Sequence, residues 1–158
     1  MKNLAKKRAG FTMIEIMLVT ASISILAGIV VVAVNPGKKI GETRNAARIS
    51  DVNTIINAVY QYSLDNEGSF PASINAGTNC GVSVQMICAT NYDCTGLTDL
   101  STYVVGKTKK YLTAMPRDPK IPSGSLTGYE IFRDVTANRI TVCAPNTEGD
   151  TPIISASR

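Results

Sequence analysis

Histidine and tryptophan are both absent from the 158 residues. Without histidine there is no imidazole base, no imidazole metal ligand and no Ser/His or Cys/His nucleophilic pair, which removes most hydrolase chemistry. Cysteine is scarce: Cys80, Cys88, Cys94 and Cys143 are separated by seven, five and 48 residues. No CxxC knuckle occurs among them, so a four-thiolate zinc site is disfavoured. Also missing are a phosphate-cradling Gly loop, an internal repeat and a low-complexity tract. An enzyme is therefore not expected, and no catalytic residue and no metal ligand are assigned.

Net charge is low once its location is considered. Lys2, Lys6, Lys7 and Arg8 carry four of the 16 basic residues, and the 12 that remain balance the 12 acidic ones. A chain lacking residues 1–10 would be formally neutral. With 44% hydrophobic and 18% charged residues, the composition is that of a folded chain with room for one domain and an appendage.

What is present is one long apolar run. Ile16 to Val34 spans 19 residues without charge or proline, interrupted by Thr20, Ser22, Ser24 and Gly28. A helix from Phe11 to Val34 would be about 36 Å long, enough to cross a hydrocarbon core of roughly 30 Å. The basic residues before it place the N-terminus in the cytoplasm and everything after Val34 outside. All four cysteines follow the run, as expected of an oxidising compartment. A cleaved secretory signal shares the basic start and apolar core, but its apolar region is usually about 7–15 residues long. Here the run is longer, and Glu15 stands at its start.

A carboxylate in a membrane helix costs roughly 2.5–3.5 kcal/mol at mid-depth and less near the interface, so a compensating cation is required. Cleavage after Gly10 would supply one. The new α-amine on Phe11, with an ordinary pKa of about 7.7–8.0, lies four residues before Glu15. It could pair with Glu15 within one helix, or with the Glu15 of a neighbouring helix, which would set the axial register of an assembly.

The segment "KKRAG" followed by "FTMIEIMLV" resembles the class III signal of type IV pilins and type II secretion pseudopilins: a basic leader, Gly, Phe, a hydroxyl residue and Glu as the fifth residue after the cut. The resemblance implies cleavage between Gly10 and Phe11 by a membrane-embedded aspartyl prepilin peptidase, N-methylation of Phe11, and pairing of Glu15 with an adjacent subunit's amine. It also implies a cytoplasmic (inner) membrane subunit, extracted by an assembly platform and its ATPase into a homopolymer or mixed filament, periplasmic or extracellular. The expected fold is α+β, a long N-terminal helix packed on a small antiparallel sheet. Its parts are a leader at 1–10, a transmembrane and filament-core half at 11–35, an amphipathic half at 36–66 and a disulfide-containing β domain at 67–158.

Pro36 and Gly37 interrupt the helix with a kink or short melt. Afterwards Ile49, Val52, Ile55, Ile56, Val59, Tyr60 and Tyr62 recur at threes and fours, predicting a stripe buried on a sheet. Arg44, Arg48, Asp51, Asn53, Asn57 and Gln61 fill the face turned to solvent or neighbouring subunits. "DNEGSFP" ends the helix near Asn66. Residues 72–96 read as a loop with a short strand at "VSVQMI". Closing this loop with cystines would contribute about 2–4 kcal/mol per bridge. Three connectivities are open, Cys80 with Cys88 and Cys94 with Cys143 being preferred. Leu97, Leu100, Tyr103 and Val104 suggest a brief helix. "YLTAMPRDP" is an extended turn similar to the P-x-DP element of major pseudopilins, without the aromatic and Gly that often follow it. A hairpin at 129–143 turns through "TAN" with Asn138 left-handed, and "TPIIS" adds an edge strand.

Some major pseudopilins hold calcium in a C-terminal loop, and Asp93, Asp99, Asp118 and Asp134 could donate oxygens. No D-x-D-x-D spacing exists, so each acid reads as a cap or a solvated charge. Lys107, Lys109, Lys110, Arg117 and Lys120 could touch DNA phosphates in an uptake filament, but no aromatics alternate with them and nucleic acid is disfavoured. The competing expectation to a filament subunit is a monomeric extracytoplasmic binding domain on an uncleaved anchor. The "MPRDP" element leans towards a secretion pseudopilin and the Cys-bearing C-terminal region towards a pilin.

Overall fold

The computed structural model describes residues 10–81, 85–106 and 111–158. Two compact units divide the chain at residues 39 and 40. The first unit consists of α1 (Met13–Val34) and the start of α2 (Pro36–Asp65). Thr12 caps α1 in an extended conformation, and Asn35, left-handed at φ 46°, ends it. One residue thus separates the two helices. Pro36 is the first residue of α2, where its missing amide costs nothing and its fixed φ suits a helix start. The interruption expected from Pro36 is a single left-handed residue rather than a longer melt.

The second unit is α+β, as expected. From Gly41 onward α2 packs on a four-stranded antiparallel sheet of order β1-β2-β3-β4. Its strands are β1 (Gln85–Cys88), β2 (Leu126–Asp134), β3 (Arg139–Ala144) and β4 (Ile154–Ser157), with a one-turn α3 (Ser101–Val104) between β1 and β2. Val52, Ile55, Ile56 and Val59 of α2 bury against Tyr129, Ile131, Ile140 and Val142 of the sheet, with Ile87, Leu100 and Val104 completing the core. α2 stops at Asp65, and the Gly68 amide donates back to the Ser63 carbonyl at 2.9 Å with Glu67 left-handed, a Schellman cap.

The β2–β3 hairpin pairs Asp134 with Arg139, and Asn138 is left-handed at φ 49° as read from "TAN". β4 forms from Ile154, within the expected edge segment. Of "VSVQMI", Gln85 to Ile87 fall in β1, and Val82 to Val84 lie outside the described residues.

Two disulfides form, with a pairing different from the preferred one: Cys80 bonds Cys143 and Cys88 bonds Cys94. The reason is sheet register. Cys143 stands opposite Glu130 on the face of the sheet away from α2, and the segment carrying Cys80 and Gly81 crosses that face, where the Gly81 amide donates to the Glu130 carboxylate at 2.7 Å. Cys88, at the end of β1, then has Cys94 within its own short loop.

The phase of α2 also differs from the expected one. Gly41, Asn45, Arg48, Val52, Ile55, Val59 and Ser63 form the buried stripe. Ile49, expected inside, is 50% exposed, and Arg48, expected on the polar face, is fully buried.

Candidate membrane anchor and processing site

The head of α1 is built by its first residues. Thr12 and Glu15 form a capping box: the Glu15 amide donates to Thr12 Oγ1 at 3.3 Å, while Glu15 Oε2 accepts from the Thr12 amide at 3.4 Å. Both partners satisfy donors that a helix start leaves orphaned, and the acid sits at the positive end of the helix dipole. The T-x-x-E spacing of "TMIE" carries this signal in the sequence, a second role for Glu15 beside that of a partner for an amine. Because Thr12 is extended, Phe11 lies outside the helix and is not stacked one turn below Glu15. Gly10 is exposed, with open space where a Cβ would stand, and Phe11 is 80% exposed.

The shaft follows. None of the 22 residues of α1 is buried, and its large apolar side chains point outward all round the helix. This is the pattern of a helix surrounded by lipid or other apolar partners, not by water. Its hydroxyls need no outside partner. Thr20 donates to the Ile16 carbonyl at 3.0 Å, Ser22 to Leu18 at 2.8 Å and Ser24 to Thr20 at 2.8 Å. A polar group bonded into its own helix costs little in hydrocarbon. At 22 residues and about 33 Å, α1 is long and apolar enough to span a membrane.

The second unit holds one cluster of charges centred on Arg48. Arg48 Nε donates to Asp118 Oδ2 at 2.7 Å and its Nη2 to Oδ1 at 2.9 Å, both side chains being fully buried. Arg48 Nη1 also reaches Asn45 Oδ1 at 2.8 Å and Glu148 Oε1 at 3.2 Å. Arg44 and Lys120 contact the other Glu148 oxygen at 3.2 and 3.4 Å. Burial pushes the Asp118 carboxyl up, but the Arg48 hydrogen bonds, the Lys120 amide and both cations' charges override it and hold it below its ordinary range. Glu148 is likewise depressed, its desolvation outweighed by Arg48 and Lys120. The Asp118 bonds hold the Arg48 guanidinium above its ordinary value. Beside this cluster Tyr129 donates to Asp51 at 2.6 Å; burial raises Asp51, the Tyr129 bond opposing it.

The four acids weighed as oxygen donors are not brought together. Asp93 accepts from Thr95, Asp99 from the Ser101 amide and Asp134 from the Thr136 and Ala137 amides, all local turn caps. Asp118 also caps its own turn, accepting from the Lys120 amide at 2.8 Å, and is in addition the buried partner of Arg48. Among the described residues no group of acids or cysteines is arranged to hold a metal. Of the basic segment, Lys107, Lys109 and Lys110 lie outside the described residues. Arg117 donates to the Gly124 carbonyl at 2.7 Å and stacks on Tyr92, and Lys120 faces Glu148. No protein-family model matches the chain, no curated protein matches it, and no solved structure matches its fold.

Proposed function

We propose that this chain is the structural subunit of a type IV pilus-like or type II secretion-like filament. It would be processed between Gly10 and Phe11, methylated on Phe11, and assembled through α1 with Glu15 pairing to a neighbour's amine. One observation carries the reading: a capped acid heads a 22-residue helix whose apolar surface is wholly uncovered. Phe11 to Val34 contains no Lys or Arg, so a positive charge for Glu15 has to come from a chain end or another molecule. The Thr12 donors are neutral and more than 3.3 Å away, which leaves the carboxylate's charge uncompensated by the cap.

The first apolar half serves the membrane before assembly and the filament core after it. A prepilin peptidase, an assembly platform with its ATPase and the lipid bilayer are the partners this life history requires.

Mass spectrometry of the protein taken from its own membrane tests the reading. A chain beginning at N-methylated Phe11 is expected. One beginning at Met1 would replace the filament subunit by a monomeric domain on a permanent anchor.

A further inference from the structure

The bond between Gly10 and Phe11 stands just outside the first turn of α1. Among the described residues, the first carbonyl to accept a helix bond is that of Thr12, from the Glu15 amide at 3.1 Å and the Ile16 amide at 3.3 Å. Thr12 itself is extended, at φ −80° and ψ 151°, and its Oγ1 accepts from the Glu15 amide at 3.3 Å. That bond needs an amide at position 15 and no side chain there; the Glu15 carboxylate supplies only the reciprocal arm to the Thr12 amide. Gly10 and Phe11 belong to no helix or strand and are both exposed, and nothing lies within 4 Å of a Cβ placed on Gly10.

Little else in the sequence stops a helix at that point. Leu4 to Ala9 read Leu, Ala, Lys, Lys, Arg, Ala, all strong helix formers by type, and Gly10 disfavours helix without ending it at a defined residue. In hydrocarbon every unbonded backbone group is costly, which favours one more turn at the head of α1. Were α1 to begin one turn earlier, the Gly10 carbonyl would accept from the Ile14 amide, and the bond to Phe11 would be wound into the helix. Proteolysis favours exposed, irregular backbone. Water adds to the Gly10 carbonyl carbon, the C–N bond breaks, and the Phe11 nitrogen takes up the proton and leaves as an amine, with the carboxylate remaining on Gly10.

We propose that Thr12 is a positioning residue for the processing step: its side-chain cap fixes the helix start at Met13 and so keeps the Gly10–Phe11 bond in extended, exposed chain where a peptidase reaches it. This role presupposes that the chain is cut at that bond. Thr12 acts through the helix and takes no part in making or breaking bonds. What position 12 requires is then an N-cap, not a threonine. Ser and Asn carry an oxygen that meets the requirement. Ala, Leu and Gln are helix formers without a capping side chain, and with them the helix runs on towards Phe11 and Gly10.

The full chain in detergent micelles, cut by an added prepilin peptidase and followed by mass spectrometry, provides the test. Thr12→Ser and Thr12→Asn should be cleaved at the parent's rate. Thr12→Ala, Thr12→Leu and Thr12→Gln should be cleaved about fivefold more slowly, the population factor that one N-cap is worth. Adding Met13→Pro to Thr12→Ala should restore the rate, since proline suits the first helical position and holds the residue before it extended. A threonine read directly by the peptidase gives neither the equivalence of Asn nor the rescue by proline. Thr12→Ala cleaved as fast as the parent, Thr12→Asn as slow as Thr12→Ala, or no rescue by Met13→Pro would each overturn the proposal. A parent chain left intact would remove the processing itself and this role with it. A parent cut at Gly10 beside equally rapid variants would remove the positioning role alone.

Discussion

Glu15 has two tasks that can be separated by substitution. Glu15→Gln keeps an acceptor for the Thr12 amide, so the cap survives while the charge is lost; Glu15→Ala loses both. Losing a cap costs about 1 kcal/mol, which a 22-residue apolar helix tolerates. Both variants are therefore expected to insert and be cleaved like the parent, and both should fail to assemble, as seen by electron microscopy of sheared filaments. Filaments from Glu15→Gln would assign the residue to capping alone. A second residue-scale test lies at Gly128. It has φ +85°, and a Cβ there would stand 2.7 Å from the Asp118 Cβ and 2.9 Å from Ile121. Gly128→Ala combines left-handed strain of about 1–3 kcal/mol with a clash that displaces Asp118 from Arg48. A melting temperature within a degree of the parent would contradict this account.

Among the elements, α2 depends most on distant partners. Arg48→Met leaves Asp118 buried without its cation and should destabilise the second unit by about 3–5 kcal/mol, while adding Asp118→Leu should recover much of that loss. Denaturant melts of both variants check the pair. The same cluster sets the acid limb. Asp118 and Glu148 have folded pKa values below their unfolded ones, so the unfolded state binds more protons as pH falls past about 4. Stability is thus present above that range and lost as pH drops through the depressed values. Asp51, shifted upward, opposes this and gains stability on acidification. Thermal melts from pH 7 to pH 3 should fall steeply in the parent and far less in the double variant.

α2 is also where reading by periodicity failed. Hydrophobic spacing placed Ile49 inside and Arg48 outside, because an arginine scores as polar wherever its counter-ion lies. The ion is Asp118, 70 residues away, a fact that no local pattern carries. The length of α1, the hairpin turning at Asn138 and the strand near "TPIIS" were legible, since each rests on neighbours in sequence. The capping box is legible too, in the four letters "TMIE", whose Thr and Glu stand at N-cap and N3 spacing.

At the scale of the whole molecule, covalent closure separates the two bridges. Cys80–Cys143 spans 63 residues and Cys88–Cys94 six. Chain-entropy estimates give about 4 kcal/mol for the first and about 2 kcal/mol for the second. Paired Ser substitutions at 80 and 143 should therefore lower the denaturation midpoint about twice as far as those at 88 and 94. Equal losses would mean that the short loop is held by more than its bond. Spacing alone could not rank the three connectivities, because the decisive fact is that residue 80 crosses the same sheet face on which residue 143 stands.

The buried guanidinium also imposes a schedule. A ribosome delivers Arg48 well before Asp118 and still longer before Glu148, so during synthesis the helix emerges with a bare cation where its core contact should be. Docking onto the sheet has to wait for almost the entire polypeptide to be made. Truncated products would expose a sticky, half-charged helix to quality-control proteases. Completion of the C-terminus is what removes that vulnerability.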